Sequence, residues 1–199
     1  MIKNYIWDFD GMLFDSYPHI TSAFEKMMAE NGKTIDFDQA KSLFEISFAD
    51  AFGFYNTSES ERRTFQQYEH DFSLEPVAVP FKNTEDALRG VIASGGRNFL
   101  YTHRGASVYY YLKKYELYDL FDFYVTSENG FPSKPAPDAV EFIVKENSLI
   151  KSETVMIGDR EIDVMAGKNA GVYGCLYTKN PRETNADFVI TDIIQVLEI

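Results

Sequence analysis

Residues 5–11 read Tyr5-Ile6-Trp7-Asp8-Phe9-Asp10-Gly11, a short apolar run that stops at two acids and a glycine. An apolar run without polar alternation is the pattern of a strand buried on both faces, as in a parallel sheet. The same pattern returns at Asn98-Phe99-Leu100-Tyr101-Thr102, Phe123-Tyr124-Val125, Thr154-Val155-Met156-Ile157-Gly158, residues 172–177 and Phe188-Val189-Ile190. Helical spacing fills the gaps. Thr84 reads as the cap of a helix carrying Ala87, Leu88, Val91 and Ile92, which Ser94-Gly95-Gly96 ends. Val108, Tyr111, Leu112 and Tyr115 mark another, residues 138–147 a third, and the stretch up to Asn169 a fourth. Strands alternating with helices over short connections predict an α/β fold: a Rossmann-like, doubly wound parallel sheet.

One stretch breaks the alternation. From Pro18 the period becomes helical, with Ile20, Ala23, Phe24, Met27 and Met28 on one face and a stop at Asn31-Gly32. Ala40, Leu43 and Phe44 suggest a second helix there, and residues 58–72, with Phe65, Tyr68 and Phe72 on a stripe, another. No strand-like run is evident between the first strand and Val77. The sequence therefore predicts a core domain of residues 1–16 and 82–199, with residues 17–81 as a helical insertion after the first strand. The chain crosses between the two near Tyr17-Pro18 and Val79-Pro80.

Composition bounds the function. At 199 residues, 45% apolar and 25% charged, the chain has the balance of a globular protein with a full core, not of a disordered or fibrous one. A net charge of −12 argues against nucleic acid or an anionic membrane as partner. No apolar run approaches the ~20 residues of a membrane-spanning helix. Asp8 comes too early for a signal peptide's apolar stretch, and the single Cys175 cannot form an internal disulfide. A cytoplasmic protein, monomer or homodimer, is expected.

In a doubly wound sheet, ligands bind at the carboxyl ends of the strands. Asp8 and Asp10 stand at the end of the first strand, Thr102 at the end of the next, and Asp159 at the end of the strand from Thr154. Asp163 follows one helical turn later, and Lys134 lies in the loop Lys134-Pro135-Ala136-Pro137. Carboxylates brought this close repel by ~4 kcal/mol per pair at 4 Å and a surface-like dielectric, and so call for a cation. An all-oxygen donor set suits Mg²⁺ better than Zn²⁺. A carboxylate beside such a cation and an ammonium can also attack phosphorus, with a second acid to protonate the departing oxygen.

These residues carry a family resemblance. Asp8-Phe9-Asp10-Gly11-Met12-Leu13-Phe14-Asp15-Ser16, Phe99-Leu100-Tyr101-Thr102, Lys134-Pro135 and Gly158-Asp159-Arg160-Glu161-Ile162-Asp163 resemble, in order, the four motifs of the haloacid dehalogenase superfamily. Within it the chain is similar to the phosphatases near phosphoglycolate phosphatase and beta-phosphoglucomutase. The likeness covers nearly the whole chain, and the insertion matches that family's small helical cap. It implies Asp8 as nucleophile and Mg²⁺ ligand, Asp10 as general acid/base with its main-chain carbonyl on the metal, and Asp159 as the third protein ligand. It implies Thr102 and Lys134 as phosphoryl-binding residues, and Asp163 as a supporting partner of Lys134 or of a metal-bound water; directly after Thr102, the main-chain N–H of His103 reads as a further phosphate contact. It also implies that the first strand and the strand from Thr154 are neighbours, and that the cap closes over the site. The expected partner is a small phosphorylated metabolite. The alternatives are a phosphomutase and a non-catalytic domain that binds a phospho-ligand or a protein. Met12 departs from the family's usual Thr or Val, whereas Asp10 separates the chain from the dehalogenases.

Other residues are less informative. Arg104 reads as a solvated loop residue in preference to a phosphate grip. His19 either faces a substrate or begins a surface helix. His70 reads as solvated, Cys175 as an inert buried thiol, and the Phe-rich insertion as packing. Arg160 either pairs with a neighbouring carboxylate or faces the cap.

Overall fold

The computed structural model describes residues 1–180 and 183–199. In chain order its elements are β1 (Asn4–Trp7), β2 (Phe14–Asp15), α1 (Tyr17–Glu30), α2 (Phe37–Ile46), α3 (Phe48–Phe54) and α4 (Glu59–Glu69). Then come β3 (Val79–Pro80), α5 (Thr84–Ala93), β4 (Arg97–Tyr101), α6 (Ser107–Lys114), β5 (Phe123–Val125) and α7 (Asp138–Glu146). The chain finishes with β6 (Thr154–Gly158), α8 (Glu161–Asn169), β7 (Tyr173–Tyr177) and β8 (Phe188–Ile190).

Six of the strands form one sheet in the order β5-β4-β1-β6-β7-β8. Every pairing in it is parallel, and β1 sits between β4 and β6. Trp7 is in register with Leu100 on one side and Ile157 on the other. The order reverses at β1, which makes the carboxyl end of β1 a topological switch point. The expected neighbourhood of β1 and β6 is present. All four residues of β1 and all five of β6 are buried, which is why their sequences run apolar without alternation.

The chain divides into two compact units, residues 1–14 with 80–199, and residues 15–79. In the first, Ile6, Phe99, Tyr101, Val125, Ile143 and Met156 form a core continuous across strands and helix. The second is built on α1 to α4, where Phe24, Phe44 and Phe65 pack with ring centroids 5.2–6.0 Å apart. The Phe-rich insertion is thus a core, stabilised by edge-to-face and stacked pairs.

The structure corrects several local expectations. Helix α3 had no counterpart in the sequence reading, because seven residues containing Gly53 show little periodicity. Ser47 caps it by accepting from the Asp50 N–H at 3.0 Å. The helix expected over residues 58–72 ends at Glu69. Strand β2 was also unforeseen, since two residues carry no pattern. Thr84 is the first residue of α5 and not its cap, a place taken by Asn83 at φ 68°. The Thr84 hydroxyl instead donates to Leu13 O at 3.1 Å, tying α5 to the turn after β1.

His19 lies near the start of a helix, as one of its two readings had it, but it does not face the surface. It is fully buried within the helical unit. Its Nδ1 lies 3.1 Å from Leu74 O and 3.2 Å from Pro76 O, and its Nε2 lies 3.0 Å from Glu69 O. The ring therefore holds the segment after α4 against α1. His70 is exposed and Cys175 is buried, as expected. Among the described residues, no helix is long and apolar enough to cross a membrane.

Candidate active site

The turn after β1 presents Asp8 and Asp10. Leu13 and Phe14 N–H both donate to Phe9 O at 3.0 Å, and Gly11, at φ 75°, supplies the left-handed residue that the reversal needs. Asp8 N–H donates to Ile157 O at 2.8 Å, continuing the sheet by one bond. The Asp8 side chain is therefore delivered by the sheet itself.

Lys134 reaches the same place from the loop before α7. Its Nζ donates to Asp8 Oδ1 at 2.7 Å and Tyr101 O at 3.1 Å, and stands 2.7 Å from Asp163 Oδ1. Two of the three N–H donors of the ammonium are thus used in hydrogen bonds, and Asp163 pairs with it by charge. Lys134, Asp8 and Asp163 are all buried. One ammonium faces two carboxylates, so the cluster keeps an excess of negative charge. Burial, reinforced by Asp163, outweighs the attraction of Lys134 and pushes the Asp8 carboxyl up to about 6. The two carboxylates in turn outweigh burial and raise the Lys134 ammonium above its ordinary value.

Asp163 has a second task. Its Oδ2 accepts the Arg160 N–H at 3.1 Å, closing the first turn of α8. Gly158 permits this approach, because a Cβ there would collide with the Asp163 carboxylate. Asp159 lies between them, with Arg160 Nε 3.8 Å from its Oδ1. Asp8, Asp159 and Asp163 each bring a carboxylate oxygen within 4.8 Å of the others. Asp8 Oδ2 is buried with no hydrogen-bond partner. An oxygen-only cluster with excess negative charge and an unpartnered buried oxygen fits a hard divalent cation. Asp163 Oδ2 accepts the Arg160 N–H and its Oδ1 is ion-paired with Lys134, so Asp8 and Asp159 are the side chains better placed to hold one.

Thr102 is the first residue beyond β4 and is buried. Its Oγ1 accepts the Arg104 N–H at 3.0 Å, which leaves the hydroxyl proton to be donated elsewhere. His103 contributes more than the main-chain N–H read from the sequence. Its Nε2 accepts the Lys134 N–H at 3.0 Å, fixing the loop that carries the ammonium. Desolvation of the ring, with Lys134 and then Arg160 nearby, pushes its imidazole down to about 4. That keeps Nε2 unprotonated and able to accept.

Asp10 stands apart from the three-carboxylate cluster, and its side chain is held by Arg104. The sequence favoured a solvated Arg104. Its residue is instead only 6% exposed and its guanidinium grips both Asp10 oxygens. A lone arginine after a strand end gives no sign of such a pairing, although its place beside Thr102 does.

Residues 5–176 match the family model of the haloacid dehalogenase-like hydrolases. Among relatives, the pyrophosphatase PpaX of Oceanobacillus iheyensis is 22% identical over all of this chain and 96% of its own. The phosphoglycolate phosphatase of Psychrobacter arcticus is 26% identical over 97% of this chain and 93% of its own. A solved structure of a hydrolase from Streptococcus pneumoniae TIGR4 superposes with a TM-score of 0.69 at 30% identity, covering 100% of this chain and 99% of that one. A doubly wound parallel sheet with an aspartate-rich switch point thus belongs to an enzyme class. The chain is a member of the haloacid dehalogenase-like hydrolase family.

Proposed function

We propose that this hydrolase is a Mg²⁺-dependent phosphatase of small phosphorylated metabolites, working through an aspartyl-phosphate on Asp8. The observation that carries the reading is the state of Asp8: buried, with Oδ1 on Lys134 and Oδ2 unpartnered. A buried carboxylate with an unmatched oxygen is unfavourable on its own; a cation would match it, and the same oxygen has a lone pair free to bond to phosphorus.

Asp8, Asp159 and the main-chain carbonyl of Asp10 would hold Mg²⁺, which when bound offsets the negative charge that a phosphate brings to this acidic site. In the first step an oxygen of Asp8 bonds to phosphorus and the bond to the leaving oxygen breaks. The carboxyl of Asp10 gives its proton to that oxygen. In the second step water attacks the phosphorus, its proton passes to Asp10, and the bond to Asp8 breaks with release of phosphate. The Thr102 hydroxyl, the His103 N–H and Lys134 would receive the phosphoryl oxygens, and Lys134 with Asp163 would hold Asp8 in place. Full-length relatives named for pyrophosphate and for phosphoglycolate support a compact phosphate as substrate.

The test is a turnover screen of the purified chain with Mg²⁺, using an aryl phosphate, phosphoglycolate, pyrophosphate and several sugar phosphates, with Asp8→Asn as blank. Phosphate release that vanishes in the variant supports the reading, and the best ester begins to define the substrate. A rearranged sugar phosphate that requires a bisphosphate activator would instead assign a phosphomutase. A folded protein that binds Mg²⁺ but turns over nothing would assign a binding role.

A further inference from the structure

Arg104 is buried in the same unit as Asp10, and all three of its guanidinium nitrogens are engaged. Nε donates to Asp10 Oδ1 and Oδ2 at 3.1 and 3.2 Å, and Nη2 donates to Oδ1 at 2.7 Å. Nη1 donates to Ser107 Oγ at 3.4 Å, from the first residue of α6. The guanidinium carbon lies 5.6 Å from the ring centroids of both Phe9 and Tyr111. The Arg104 main chain is tied in turn to Thr102 Oγ1. We propose that Arg104 is a positioning residue for Asp10 and not a phosphate ligand, and that it acts on leaving-group departure through that carboxylate. This rests on the phosphatase reading above.

The physical case is one of orientation. Asp10 sits in a turn and its side chain is 16% exposed, so packing alone does not fix its two side-chain torsions. A bidentate guanidinium fixes both the place and the plane of a carboxylate, which a lysine cannot do. The guanidinium is itself held by Ser107 and two aromatic rings, so it forms a rigid mount. Proton transfer needs the acid within hydrogen-bond reach of the leaving oxygen, and a misplacement of ~1 Å costs up to ~100-fold in rate. Turning Arg104 toward a phosphate would break the pair with Asp10 and leave that carboxylate unmounted.

The experiment compares wild type, Arg104→Met, Arg104→Lys, Asp10→Asn and the Arg104→Met/Asp10→Asn double variant, each with Mg²⁺. The substrates are p-nitrophenyl phosphate, whose leaving group needs no proton, and the best alkyl ester from the screen. Arg104→Met is expected to lower kcat/KM, which reports the steps through leaving-group departure, by ~10-fold or more on the alkyl ester beyond its effect on the aryl ester. The KM values and the inhibition constant of inorganic phosphate stay near wild type, Arg104→Lys recovers part of the loss, and the double variant is no worse than Asp10→Asn. Equal losses of kcat/KM on both esters, a large rise in the phosphate inhibition constant, or additive losses in the double variant would overturn the assignment. Where Arg104→Met fails to fold, Arg104→Lys carries the same comparison, since it keeps the charge but not the fork. A wild type inactive on every ester overturns the phosphatase reading and this one with it; an active wild type with leaving-group-independent losses overturns only the role of Arg104.

Discussion

Lys134 Nζ stands 2.7 Å from Asp163 Oδ1, the same distance that separates it from Asp8 Oδ1. The ammonium is shared between the carboxylate at the end of β1 and one in the first turn of α8. Breaking a buried ion pair by removing one partner leaves an uncompensated charge, which costs about 3–5 kcal/mol. Lys134→Met leaves two such carboxylates. It is expected to cut unfolding free energy by at least that amount, read from the denaturant midpoint, and to abolish phosphate release. A variant as stable as wild type would show that the cluster is solvated.

Asp8 gives a stability-versus-pH prediction. Its carboxyl is raised from 3.8 to about 6 in the folded protein. Between those values the folded chain holds a proton that the unfolded chain has lost, so metal-free stability falls as pH rises through that window. Asp8→Asn removes the group, flattens that slope and abolishes turnover while the fold persists. Thermal melts of both proteins in chelator between pH 4 and 7 would check this, and parallel curves would refute it.

The same logic sets the response to Mg²⁺. A cation bound to the folded state alone raises the melting temperature by mass action, and it competes with protons for Asp8. The rise is expected to be larger at pH 7 than at pH 5, and excess chelator is expected to stop turnover. The measurement is a Mg²⁺ titration followed by melting at each pH. An equal shift at both would place the ion away from Asp8.

Glu61 offers a contrasting sign in the helical unit. Hydrogen bonds from Lys33 Nζ at 2.6 Å and from the Ser58 N–H and hydroxyl at 2.7 and 2.8 Å hold its carboxyl down at about 2. A depressed carboxyl contributes stability above its unfolded value, and that contribution is lost as pH falls from about 4.5 toward about 2. Glu61→Gln is expected to lower stability at pH 7 and to steepen nothing in acid, so that the two proteins converge near pH 2. Acid titration followed by circular dichroism would show whether they do.

Much of this was legible in the sequence, because parallel strands buried on both faces leave unbroken apolar runs. Thr154–Gly158 coincides with β6 for that reason, while Phe188–Ile190 coincides with β8 although that edge strand leaves Val189 exposed. Asp8, Lys134 and Asp159 were legible as residues at or near strand ends. What was not legible depends on partners distant in sequence. His19 is ordered by carbonyls more than fifty positions away, and Arg104 by an acid ninety-four positions earlier. Neither pairing leaves a periodic trace. Helix α3 was missed for the opposite reason: it is too short for a period to show.

The central place of β1 bears on how the chain is made. Of the strands in this sheet β1 is synthesised first, and it pairs with Arg97–Leu100 and with Thr154–Ile157. Neither partner exists when it emerges, and closing such long loops is slow. Asp8 therefore lacks its β6 neighbour, and the Ile157 carbonyl that holds its N–H, until translation has passed residue 157, and a nascent chain halted before that point would carry its first motif on a sheet missing one side.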